Sequence, residues 1–198
     1  NNINTFISDV LSNYNYKIQK LDFVGSQIGS ELRTKGEWAM LVALISILVY
    51  IGFRFEFLYG IGAILALIHD VLITVGIFSI LQLQFDLSVL SALLAVIGYS
   101  LNDTIVVYDR IRENANLMHL DKPESILNKS INQTLSRTLI TSLTTLFVLF
   151  SLLIFGGIAV EYFSIAMIIG VLIGTFSSIY IAGASLYFLK VLENVEEK

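Results

Sequence analysis

YFSIAMIIGVLIGTFSSIYIAGASLYFL, residues 162–189, runs for 28 positions between Glu161 and Lys190 without a formal charge. A bilayer's hydrocarbon core of about 30 Å is crossed by roughly 20 apolar residues in a helix. This run is long enough. A second uncharged run of 23 residues lies between Arg137 and Glu161. Three further apolar stretches, Trp38–Phe53, Phe57–Leu81 and Leu87–Tyr108, are interrupted or flanked by charge. Continuous runs of this kind are unlike the ten-residue alternating segments of a membrane β-barrel. We read five transmembrane helices, at about 38–53, 57–81, 87–108, 135–155 and 162–189, making residues 37–190 a transmembrane domain.

The composition of the 198-residue chain agrees. Hydrophobic residues make up 56% and charged residues 14%, against about 25% charged in ordinary globular domains. Mean hydropathy is +0.78. The absence of cysteine excludes a disulfide framework, a thiolate metal site and a thiol nucleophile. A net charge of −4 carries no basic excess that would suggest nucleic acid.

Lys and Arg set the expected orientation. The short connections at 82–86 and 156–161 contain none, whereas Arg54, Arg110, Arg112, Lys122, Lys129, Lys190 and Lys198 fall on the other side. The positive-inside rule makes that side cytoplasmic. The N-terminus is then outside, and residues 191–198 form a cytoplasmic tail. Residues 109–134 form a charged cytoplasmic connection, with Ile126, Ile131 and Leu135 giving the region an amphipathic stripe.

Residues 1–36 read differently. Ile3, Phe6, Ile7, Val10 and Leu11 recur at helical spacing. Tyr14, Tyr16 and Ile18 alternate with polar residues, which predicts a strand to about Phe23. Ser26 is placed to cap a short helix ending near Gly36. Thirty-six residues cannot build a core alone. Because the chain starts at Asn1 without an initiator methionine or signal sequence, we expect these residues to be the α/β remnant of an external domain.

Ionisable groups inside a span cost at least about 2.5–3.5 kcal/mol on insertion scales and so need a partner or a function. His69, Asp70, Asp103 and Arg137 qualify. Asp103 lies about 8 Å to the cytoplasmic side of the middle of its span, at 1.5 Å per residue. Ser88, Ser91, Ala95, Gly98 and Asn102 form a small-residue stripe expected to turn this region into a helix bundle. On the next span Ser130, Thr134, Arg137, Thr141 and Thr144 share a polar face. Arg137 should sit at the depth of Asp103, so the two are natural partners. Burial favours a neutral carboxyl group and a nearby guanidinium the charged one, so moving Arg137 would switch Asp103 between binding and releasing a proton. A silent structural ion pair is the other reading.

His69 and Asp70 fall near the middle of the second span, about 100° apart around the helix. A metal-dependent phosphohydrolase would need further His and Asp ligands, and the other histidine, His119, is in a loop. A proton-relay role and a helix-packing role for Asp70 both remain open. Gly170 and Gly174 form a GxxxG packing motif with a high chance background. Gly60-Ile61-Gly62 lacks the context of a dinucleotide site. We find no nucleophile–base–orienter set, no metal site and no cofactor motif, and expect no enzyme activity.

Four stretches resemble the SecF family, the smaller membrane subunits of SecD–SecF protein-export complexes: DFVGSQIGSEL at 22–32, ALIHDV at 66–71, GYSLNDTIVVYDRIREN at 98–114 and NQTLSRT at 132–138. Ser26 stands where the family commonly has proline. The family belongs to the proton-driven RND superfamily and has six spans, with an extracytoplasmic domain between the first and second. The resemblance implies an all-α polytopic protein of the bacterial inner membrane, here lacking span one and most of that domain. It implies Asp103 as the protonatable group and Arg137 as its coupled partner, with Asn102 and Thr104 in the polar surroundings, to which the polar face of the fourth span adds Thr141. Implied partners are SecD, the SecYEG translocon, unfolded preproteins, the lipid bilayer and protons. The implied function is proton-motive-force-driven assistance to protein export. A proton-coupled exporter of small molecules or lipids and a non-conducting assembly subunit are the alternatives.

Overall fold

A computed structural model describes residues 26–55, 57–117 and 122–189. Five long helices follow one another: α1 Ser26–Arg54, α2 Phe57–Ile80, α3 Leu87–Leu117, α4 Pro123–Phe155 and α5 Glu161–Phe188, with a 3-10 turn at Ile158–Val160 before α5. All five are long and apolar enough to cross a membrane. No strand occurs among the described residues. The amphipathic helix and strand expected before Gly25 lie outside them.

Local chemistry accounts for the helix ends. Asp86 opens α3: its Oδ1 accepts the backbone N–H of Ser88 at 2.9 Å and of Val89 at 3.1 Å, satisfying donors that a helix start leaves unpaired. Pro123 begins α4, where a missing N–H costs nothing, after an extended Lys122. α2 closes with Gln82 at φ 52°, where its own N–H reaches Ser79 O and Leu83 N–H reaches Phe78 O. Gly157 takes φ 74° after the end of α4, a conformation open to glycine without penalty.

One expectation is corrected here. The short helix predicted to end near Gly36 does not end there; α1 runs unbroken from Ser26 into the first span. Gly36 is buried, and a Cβ there would meet Leu90 Cδ2 at 3.0 Å. This glycine permits close contact with α3 and leaves the helix intact.

α5 is the centre of the bundle and packs on α2, α3 and α4, while α1 flanks α2. Lipid is as apolar as leucine, so helices in a membrane associate through close packing and hydrogen bonds. α5 accordingly buries Ala166, Gly170, Gly174, Ser177, Ser178, Ala182 and Gly183. Its GxxxG motif is a real contact: a Cβ at Gly170 would collide with the Val96 side chain, and one at Gly174 would lie 3.0 Å from Ser100 Cβ.

Two apolar clusters fill the two ends of the bundle. One joins Ile51, Phe55, Tyr59, Tyr108, Ile111 and Leu186. Tyr59 and Tyr108 meet edge to face there, with ring centroids 5.3 Å apart. The other joins Phe78, Val89, Val96, Leu149, Met167 and Val171.

At the basic end, Arg54 of α1 bonds Asp109 of α3 at 3.2 Å, and Arg112 donates to the Arg54 carbonyl at 3.4 Å. Asn114 Nδ2 donates to Ser130 Oγ and to Gln133 Oε1, both at 2.8 Å, pinning α3 to α4. Tyr187 donates to Glu124 Oε1 at 2.9 Å. The residue's own N–H at the helix start, and then the Tyr187 hydroxyl, hold the exposed Glu124 carboxyl below the usual carboxylate range.

Candidate functional site

Buried polar residues on facing helices sit along the bundle axis: Asp70 and Thr74 on α2, Ser100, Asp103 and Thr104 on α3, Thr138 and Ser142 on α4, Ser177 and Ser178 on α5. A helix interior satisfies its backbone but offers side chains nothing, so a polar side chain here must find another helix or a carbonyl one turn back.

Most do. Ser100 Oγ donates to Asp70 Oδ2 at 2.6 Å, joining α3 to α2. His69 Nδ1 lies 3.1 Å from Asp70 Oδ1. Thr104 Oγ1 and Ser178 Oγ are 3.1 Å apart, joining α3 to α5. Ser178 Oγ also approaches the carbonyls of Ser100 at 3.2 Å and Gly174 at 2.8 Å. Ser142 Oγ and Thr175 Oγ1, 2.6 Å apart, join α4 to α5.

Asp103 is the exception. It is 4% exposed, and its Oδ2 is sealed without a hydrogen-bond partner. A buried carboxylate oxygen without a donor is costly and stands out in a native fold. The other orphan among the described residues is Thr138 Oγ1, beside Arg137 in sequence.

Arg137 makes no ion pair within 4.0 Å of Asp103; its side chain is on the outer face of α4. The guanidinium and the carboxyl group are therefore not in contact. Thr104 shares the buried face of Asp103, whereas Asn102 is exposed. The Thr141 hydroxyl is spent within its own helix, donating to the carbonyls of Arg137 at 3.1 Å and Thr138 at 2.9 Å. His69 and Asp70 do meet despite their angular separation, with Nδ1 of one 3.1 Å from Oδ1 of the other.

The small-residue stripe of α3 departs from expectation. Ser91, Ala95, Gly98 and Asn102 are exposed, and no atom lies within 4 Å of a Cβ built on Gly98. The face that packs on α5 is the neighbouring one, with Val89, Ala92, Val96, Ser100, Asp103 and Thr104. Small size marks a face fit for close approach; it does not tell which helix approaches. Ser100 and Ser178 were passed over in the sequence because a serine within a helix ordinarily bonds its own helix's carbonyls. The signal that could have found Ser100 is its place three residues before Asp103 on the same helix face.

No group of three or more His, Cys, Asp or Glu side chains among the described residues is arranged to hold a metal ion.

A five-helix bundle with a sealed, unpartnered carboxyl group among polar helix contacts defines a polytopic membrane protein whose core carries an ionisable site. The family described as "Protein export membrane protein SecD/SecF, C-terminal" matches residues 5–192, and the chain belongs to it. It is 49% identical over 188 residues to protein translocase subunit SecF of Calditerrivibrio nitroreducens, covering 94% of this chain and 62% of that one. Against the SecF subunit of Vibrio alginolyticus it is 52% identical, covering 85% of this chain and 53% of the relative. The chain thus spans only about half to three-fifths of these relatives' lengths. The crystal structure of SecDF, a translocon-associated membrane protein from Thermus thermophilus, superposes with a TM-score of 0.87 at 41% identity. That match covers 96% of this chain and 27% of the SecDF chain.

Proposed function

We propose that the chain is the membrane part of an auxiliary subunit of the Sec preprotein translocase. With SecD it uses the proton motive force to promote late steps of export through SecYEG. Asp103 takes up and releases the proton, and Arg137 is the charge whose approach or withdrawal changes the proton's affinity for it. The observation that carries this reading is the Asp103 carboxyl: buried at membrane depth, with one oxygen unbonded, next to an exposed stripe of small and polar residues. A silent structural pair would be closed. Here guanidinium and carboxylate are apart, which leaves the acid available to a proton.

The stripe Ser91–Ala95–Gly98–Asn102 and the exposed Arg137 fit a membrane surface that receives the helices of SecD. The basic end of the bundle, with Arg54, Arg110, Arg112, Lys122 and Lys129, would face the cytoplasm under the positive-inside rule, leaving the 82–86 and 156–161 connections outside. The preprotein undergoes no covalent change. Inward flow of a proton yields about 2.3 kcal/mol per 100 mV, enough to bias a two-state bundle.

Asp103→Asn keeps the shape and removes the proton site. In the full-length subunit assembled with SecD, we expect it to abolish stimulation of export by the proton motive force while complex yield stays normal. Stimulation at the native level by an assembled Asp103→Asn complex would end the proposal. An exporter of small molecules would instead be indicated by drug or lipid efflux that depends on Asp103 without any effect on export.

A further inference from the structure

The carboxyl group of Asp103 has an unbonded oxygen in the bundle, yet the residue is well held. Three positions before it, Ser100 on α3 donates to Asp70 on α2 at 2.6 Å. One position after it, Thr104 meets Ser178 on α5 at 3.1 Å. Residues three and four apart are neighbours on a helix face, so these two ties bracket Asp103 on its own face. The acid is positioned through the backbone of α3 and not through its carboxyl oxygens.

From this geometry we infer that Asp70 is a positioning residue: through Ser100 it fixes α3 against α2 and so sets where Asp103 sits, without itself passing protons to Asp103. The inference rests on the reading of Asp103 as the proton site.

Two observations separate positioning from relay. The connection from Asp70 towards Asp103 is not a continuous chain of hydroxyls. Ser178 Oγ meets the Ser100 carbonyl at 3.2 Å and the Thr104 hydroxyl at 3.1 Å, an amide carbonyl does not hand a proton on, and Asp103 Oδ2 has no hydroxyl bonded to it. Second, Asp70 has a local partner for its charge. His69 lies 3.1 Å from Oδ1 with its side chain 27% exposed, so the second carboxyl oxygen of Asp70 faces a neighbour on its own helix and not Asp103. Apart from tyrosines, Asp70 and His69 are the sole ionisable groups of α2, and Glu161 at its first position is the sole one of α5. The site is also sterically closed. A Cβ on Gly174 would lie 3.6 Å from Asp70 Oδ2 and 3.0 Å from Ser100 Cβ, so α5 seals the tie from one side.

Asparagine can replace Asp70 in a positioning role but not in a relay. Its carbonyl accepts the Ser100 hydroxyl and its amide donates to His69, while an amide neither takes up nor releases a proton near neutral pH. The test compares the full-length subunit with SecD in proteoliposomes, native and with Asp70→Asn, Asp70→Ala, Ser100→Ala and Asp103→Asn. The readouts are the pH profile of potential-driven proton flux and amide hydrogen exchange in residues 96–108. Asp70→Asn should keep native flux, pH midpoint and exchange. Asp70→Ala should raise exchange across Ser100–Thr104 and move the midpoint by about one pH unit, a tenfold change in proton affinity. Ser100→Ala, milder because Asp70 keeps His69, should move both in the same direction and covers the case in which Asp70→Ala does not assemble. Loss of flux in Asp70→Asn equal to that in Asp103→Asn, with α3 still protected, would make Asp70 a relay and overturn the inference. Native exchange and midpoint in both alanine variants would overturn it too. If the native complex carries no protons, the reading of Asp103 fails, while the exchange comparison still decides whether Asp70 holds α3.

Discussion

At the scale of single residues, the contrast between Asp103 and Thr138 is informative because both bury an oxygen without a partner. For a neutral hydroxyl the cost has a simple remedy. Thr138→Val replaces the hydroxyl by a methyl of the same shape and leaves no other group unpaired. A buried unsatisfied polar group costs about 1–3 kcal/mol, so the variant should unfold at an equal or higher temperature than the native subunit in detergent. A clear loss of stability would mean that the hydroxyl has a partner when the complex is assembled. The same exchange is not open to Asp103 under the proposed function, because no apolar side chain of its shape takes up a proton. Depth and charge single out Asp103 and Arg137 in the sequence, and the structure buries the first and exposes the second. Their separation was not legible. A long flexible arginine reaches several places from one backbone position, and only the packing of α4 decides which.

Helices were read well where charge marks their limits and less well where it does not. The apolar stretches located all five, but α3 and α4 continue as helix to Leu117 and from Pro123, well past those stretches. Helix propensity and the Asn114–Ser130–Gln133 tie carry them beyond the hydrocarbon, where hydropathy is silent. Gly36 was misleading for a related reason: a glycine serves both to end a helix and to admit a neighbour, and here Leu90 is the neighbour. Gly170 admits one too. Its missing side chain lets Val96 of α3 press against the α5 backbone, so Gly170→Val should drive the two helices apart. Overpacking a tight contact costs about 1–3 kcal/mol, and this one lies between the apolar end cluster and the polar layer. We expect lower yield and a lower unfolding temperature for the subunit alone, before any partner is added. Native stability for Gly170→Val would mean that α3 and α5 do not approach this closely.

For the whole molecule, the decisive distinction is between surfaces that face lipid and surfaces that await another protein, and hydropathy cannot draw it. Lipid accepts Phe147, Val148 and Ile154 on α4 or Leu72 on α2 without complaint, and all are exposed. It gains nothing from Ser91, Asn102 or Arg137, which are exposed too. An exposed guanidinium at membrane depth is costly against hydrocarbon and acceptable against a polar helix. Two glycines turn this into an experiment, because neither Gly98 nor Gly76 has an atom within 4 Å of a built Cβ. A side chain at either position therefore starts into open space in the described chain. Gly98 lies on the polar stripe of α3, Gly76 on the apolar second span. If the stripe receives SecD, Gly98→Leu should leave the unfolding temperature of the isolated subunit near native and yet cut recovery of SecD in co-purification by about tenfold, the effect of losing ~1.4 kcal/mol of association. Gly76→Leu should change neither. Equal recovery of SecD by both variants would move the interface off this stripe and leave Arg137 without the protein neighbour that its depth demands.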